Sequence, residues 1–143
     1  MRLWIAAFLR CLPLDVLRPH WPHEEHAFAV LDQERVAALT PAARQAGVKP
    51  SMRRAGAAAI APQVELLPRQ PQAEADTLHG AALALLQYTP EIALGDNDTV
   101  LLNVGASLMF FGGPRALARR IRATLGTLDL RVSLGMASTA RGA

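Results

Sequence analysis

Seven residues near the start, Leu3 to Leu9, form an unbroken apolar run closed by Arg2 and Arg10. A run this short and this bounded predicts a central β-strand covered on both faces, so the rest of the chain must supply the sheet and its cover. Leu12 to Trp21, with Pro13, Pro19 and then Pro22, predicts a short helical turn followed by irregular loop. Ala27 to Leu31 and Arg35 to Leu39 flank the polar turn Asp32-Gln33-Glu34 and read as a hairpin.

Thr40-Pro41 is an N-cap with a first-turn proline, and Gly47 closes a helix over Pro41 to Ala46. Pro50-Ser51 predicts the start of a second helix running to about Ile60, before Pro62. Both are built mainly of Ala and Gly, so they approach closely, bury little area and depend on their neighbours. Val64 to Leu67 predicts a strand. Gln72 to Gln87 predicts a helix with Ala75, Leu78, Ala81, Ala82, Leu85 and Leu86 on one face. Glu91 to Leu94 and Thr99 to Val104 flank Gly95-Asp96-Asn97-Asp98 as a second hairpin. Gly112-Gly113-Pro114 introduces a helix whose buried stripe is Leu117, Ile121 and Leu125, and Val132 to Ala137 is a final strand before an untethered tail.

With Thr40 to Arg69 set aside, strand, helix and hairpin alternate around one antiparallel or mixed sheet. The expected fold is α+β, a ferredoxin-like sheet with helices on one face and a small helical insertion.

The chain has 143 residues, 51% of them hydrophobic, which suffices for a core of its own. Its net charge of +3 permits an anionic partner such as nucleic acid. More telling is the clustering of the cations, in Arg44, Lys49, Arg53 and Arg54 and again in Arg115, Arg119, Arg120 and Arg122. Opposite an apolar stripe, the second group reads as a solvated face or as a surface for phosphates or an acidic partner. The single cysteine, Cys11, excludes an internal disulfide and fits a reducing compartment, the cytoplasm being the simplest assignment. No apolar stretch approaches the roughly 20 residues that span a bilayer, and Arg10 ends the first run too early for a secretory signal.

His20, His23 and His26, with Glu24 and Glu25 between them, have a spacing able to gather a metal. Pro19 and Pro22 impose an irregular backbone there, and the group reads as a solvated loop, so no metal site is expected. Cys11 has no paired base. Gly112-Gly113-Pro114 lacks the Lys-Ser/Thr of a phosphate-cradling loop.

The stretch from Val36 to Met52, with its Thr-Pro-Ala-Ala-Arg, Gly-Val and Ser-Met, resembles the fingers signature of Y-family translesion DNA polymerases. Ala61-Pro62, Tyr88-Thr89-Pro90 and Val132 to Ala137 are similar to further motifs of that family. Leu3-Trp4-Ile5 and Gly105 to Gly113 resemble its ImuB-type, catalytically degenerate subgroup. The resemblance covers nearly the whole chain. It implies palm over residues 1–39, a fingers-like insertion over 40–69 and palm again over 70–143, with thumb and little finger absent.

Such polymerases hold two magnesium ions on carboxylates of the first strand and the second hairpin. By this resemblance those positions fall at Ala6, Asp98 and Thr99, so one carboxylate of three is kept, and a methyl group cannot ligate a hard cation. The tyrosine that contacts the incoming triphosphate falls at Pro41, and its companion arginine survives as Arg44. The implied function is a non-catalytic, cofactor-free accessory protein of DNA repair and translesion synthesis within the SOS response. The implied partners are DNA, an error-prone polymerase, an ImuA-type or RecA-like protein and the sliding clamp, mostly engaged through regions missing here. Two alternatives stay open. One is a divergent, magnesium-dependent error-prone polymerase using Asp98 with Asp96, and the other is a plain ferredoxin-like interaction module.

Overall fold

The structure, a computed structural model, describes residues 2–17 and 26–143. In chain order its elements are β1 (Trp4–Phe8), α1 (Leu12–Asp15), β2 (Phe28–Asp32), β3 (Arg35–Leu39), α2 (Pro41–Gln45), α3 (Arg54–Ile60) and β4 (Glu65–Pro68). They continue with α4 (Pro71–Leu85), β5 (Ile92–Gly95), β6 (Thr99–Asn103), α5 (Pro114–Thr127) and β7 (Ser133–Ala137). Two compact units result, Met1–Leu12 with Ala75–Ala143, and Pro13–Glu74. Among the described residues no helix is long and apolar enough to cross a membrane.

The first unit carries a four-stranded sheet in the order β5-β6-β1-β7, antiparallel at every pairing. Side chains alternate across a strand, and the burial follows that period. Ile5, Ala7 and Leu9, with Val100, Leu102 and Val104 beside them, are buried. Trp4 and Ala6 are half-buried and Phe8 is 40% exposed. The expectation that this strand is covered on both faces is therefore corrected: the apolar run was continuous because its open-face positions are also apolar. Leu117, Ile121 and Leu125 of α5, with Ala81 and Leu85 of α4, are fully buried and provide the apolar cover. The Tyr88 hydroxyl ties the segment just after α4 to α5, lying 2.6 Å from Thr124 Oγ1 and donating to the Arg120 carbonyl at 3.2 Å. Of the stripe predicted for α4 only Ala81 and Leu85 are fully buried; Leu86 lies beyond the helix end and is 47% exposed.

The second unit has its own sheet, β3-β2-β4, with β2 antiparallel to β3 and parallel to β4. These strands do not join the first sheet, which corrects the single-sheet expectation. The strand covered on both faces is β2, with Ala29 and Leu31 in one core cluster and Phe28 and Val30 in another. Thr40 ties the hairpin to α2: its hydroxyl oxygen accepts from the Ala43 and Phe28 N–H groups, each at 3.2 Å. Gly47 has φ +106°, and a Cβ there would lie 2.9 Å from Ile60 Cγ2, so the position takes only glycine. Helix α3 begins later than Pro50-Ser51 predicts, because Ser51 sits at φ +68° and Arg53 occupies the N-cap without a side-chain cap bond.

Arg69 fastens this unit. Its guanidinium makes a two-pronged pair with Glu74, Nε to Oε2 and Nη2 to Oε1 each at 2.9 Å, and reaches Asp32 at 3.3 Å. Glu74 is buried, and its carboxylate stabilises the charged form of Arg69, raising the arginine's pKa. The tail predicted to be untethered instead turns back: Gly142 N–H donates to the Thr139 carbonyl, and a Cβ on Gly135 would meet the Ala143 carbonyl at 3.1 Å.

Candidate functional site

The open face of the first unit's sheet is fixed by strand register. Phe8 stands opposite Thr99 on one side and Ser133 on the other, and Ala6 opposite Leu101 and Gly135. Directly paired residues share a face, so Ala6, Phe8, Thr99 and Leu101 form one patch at the hairpin end of the sheet. The register thus brings positions 6 and 99 together as diagonal neighbours. Asp98 lies in the turn, where Asn97 and Asp98 both have φ +56°, a conformation Asn and Asp tolerate better than most residues. The Asp98 backbone carbonyl accepts the Leu9 N–H at 3.0 Å. Among the described residues no group of three or more His, Cys, Asp or Glu side chains stands together as a metal cage.

The sequence marks Arg10 only as the end of the first apolar run. Its guanidinium donates to the Val132 carbonyl at 2.8 Å and to Ser133 Oγ at 3.0 Å, and Ser133 pairs with Phe8 on the open face. A permanent cation therefore sits at the corner of the patch. The link spans 123 residues, so only the fold reveals it.

In the second unit Arg44 is exposed on α2 and Lys49 is exposed in the loop after it. Arg53 and Arg54 share a pocket with Arg35, again a residue that sequence reasoning passed over. Arg54 is paired to Glu34, Nε to Oε2 at 2.8 Å. The four arginines of α5 are exposed, opposite the buried Leu117, Ile121 and Leu125, and the Arg120 guanidinium lies 5.6 Å from the centre of the Phe111 ring. In the preceding segment Met109 and Phe110 are 95% and 85% exposed. His26 approaches Glu65 at 3.9 Å; His20, His23, Glu24 and Glu25 lie outside the described residues.

The chain is similar in structure to the Y-family DNA polymerase chimera Dbh-Dpo4-Dbh, with a TM-score of 0.74 and 21% identity over 97% of this chain and 44% of that one. A Dbh ternary complex gives 0.72 and 23% identity, covering 96% and 41%. DinB from Sulfolobus solfataricus gives 0.66 and 22%, covering 96% and 42%. The chain thus spans less than half the length of these solved polymerases, whose palm and fingers fold it shares. No curated protein sequence matches it. The profile of the impB/mucB/samB family matches residues 9–143, nearly the whole chain, and the chain belongs to that family.

Proposed function

We propose that this chain is a non-catalytic, ImuB-type member of its family, in which the fold of a DNA-damage bypass polymerase serves as an accessory scaffold in translesion synthesis. The observation that carries the reading is the open-face patch. A two-metal centre needs several oxygen donors converging on two cations. The patch offers a methyl group at Ala6, a phenyl ring at Phe8, one hydroxyl at Thr99 and an isobutyl group at Leu101. Arg10 adds a positive charge at its corner, which repels a divalent cation. Even with the single Asp98 carboxylate of the adjoining turn, this donor set does not fit two magnesium ions.

In this reading the first unit corresponds to the palm and the Ala-rich helices α2 and α3 to the fingers, with Arg44 as a remnant of nucleotide binding. DNA is the partner of the exposed cations, Lys49, Arg53, Arg115, Arg119 and Arg122 among them. An error-prone polymerase, a RecA-like protein and the sliding clamp are the protein partners of this reading.

Primer extension tests the central point. With magnesium or manganese the chain is expected to incorporate no nucleotide. Incorporation that disappears in Asp98→Ala would replace this reading with that of a divergent polymerase using Asp98.

A further inference from the structure

Arg35 and Arg53 are partners in an isolated antiparallel bridge. The flanking bonds define its type: Val36 N–H donates to the Met52 carbonyl at 2.8 Å, and Arg54 N–H to the Glu34 carbonyl at 3.0 Å. Arg35 and Arg53 themselves exchange no backbone bond. They form the non-hydrogen-bonded kind of pair, in which Cα atoms approach to about 4.5 Å and side chains stand closest. Two like charges placed directly opposite one another destabilise a sheet pairing.

The nearest carboxylate does not relieve this, because Glu34 is engaged by Arg54. Arg35 is oriented by donating through Nη1 to the Ser51 carbonyl at 3.0 Å, which leaves its remaining N–H groups for another acceptor. Among the described residues, Arg53 has no carboxylate within ion-pair distance. Both arginines line a cavity of about 600 Å³, with Ala55 and Ala58 as its apolar floor. Two arginines paired across the bridge and lining one open cavity, where Arg54 engages the Glu34 carboxylate that also lines it, match a tetrahedral anion that accepts several N–H bonds at once.

We propose that Arg35 and Arg53 form a phosphate-binding pocket in the Pro13–Glu74 unit, in which one phosphate group bridges the two guanidinium groups. The group comes either from a single-stranded nucleic acid or from free phosphate. The strand source rests on the proposed role in DNA damage tolerance, whereas the pocket itself does not.

The test uses the full chain and the variant Arg53→Gln, chosen because Arg53 makes no side-chain cap bond to α3. Thermal unfolding is compared in inorganic phosphate and in chloride at equal ionic strength. A phosphate concentration ten times the dissociation constant is expected to raise the wild-type midpoint by roughly 4 °C. The gain is lost in Arg53→Gln and kept in the control Arg141→Gln, an exposed arginine of the other unit. An equal gain in wild type and Arg53→Gln, or no gain in either, overturns the pocket. In a second arm, binding of a short oligothymidylate is measured for both proteins. Weakening of about fivefold or more in Arg53→Gln, the size of one lost charge-assisted contact, assigns the phosphate to a nucleic-acid strand. Unchanged oligonucleotide binding alongside a lost phosphate response assigns it to free phosphate, and the pocket stands.

Discussion

Replacing Arg69 with alanine is expected to lower stability by about 3 kcal/mol, because it leaves a buried carboxylate without its partner. Glu74 has a side-chain exposure of only 4%, against 36% for Arg69, so water replaces little of what the guanidinium supplied. The cost falls on the Pro13–Glu74 unit, where the arginine joins the end of β4 to the first turn of α4 and, through Asp32, to the end of β2. For a chain of this size the midpoint of thermal unfolding should drop by roughly 10 °C. The double variant Arg69→Ala with Glu74→Leu removes the stranded charge and should recover much of the loss. A single-variant change below about 0.5 kcal/mol, read by calorimetry or circular dichroism, would show that the pair behaves like an exposed one.

A comparable loss is expected for Leu102→Ala, about 3 kcal/mol, and a much smaller one, under about 1.5 kcal/mol, for its neighbour Leu101→Ala. Leu102 is fully buried opposite Ile5, while Leu101 is half-buried opposite Ala6 on the open face. The comparison reads the sheet register directly. A slip of one residue exchanges the two faces and would invert the ranking. Denaturant unfolding of the two variants side by side measures it, and the outcome also decides whether Ala6 and Thr99 belong to the open-face patch.

Much of the element order was legible locally. Both hairpins were marked by polar turns between apolar runs, α2 by Thr40-Pro41 and Gly47, and α5 by Pro114 and the spacing of Leu117, Ile121 and Leu125. The division into two sheets was not. The parallel pairing of β2 with β4 joins segments separated by one strand and two helices, and no local pattern records which strand a chain will return to. Ser51 misled for a different reason: a serine before a helix usually signals a cap, and nothing in its identity announces a left-handed backbone. β1 was overread because Trp4, Ala6 and Phe8 are apolar although their face is not fully covered.

At the site, the positions of interest were legible only through resemblance, since a missing carboxylate leaves no chemical mark of its own. The charged contacts of each unit were invisible. Arg10 meets Ser133 through a side-chain hydrogen bond in the first unit, and Arg35 meets Arg53 in an isolated bridge in the second, so an arginine cluster read along the sequence found Arg53 and missed its partner.

The central claim is that the sheet face around Ala6 and Thr99 lacks the donors for divalent cations. Manganese titration followed by electron paramagnetic resonance tests it most directly, with wild type, Asp98→Ala and the double variant Ala6→Asp with Thr99→Glu compared at moderate salt. Wild type and Asp98→Ala should show no saturable site, and the double variant, with two carboxylates placed as diagonal neighbours on one face, should acquire one. Saturable binding of two manganese ions by the wild type, abolished in Asp98→Ala, would contradict the account.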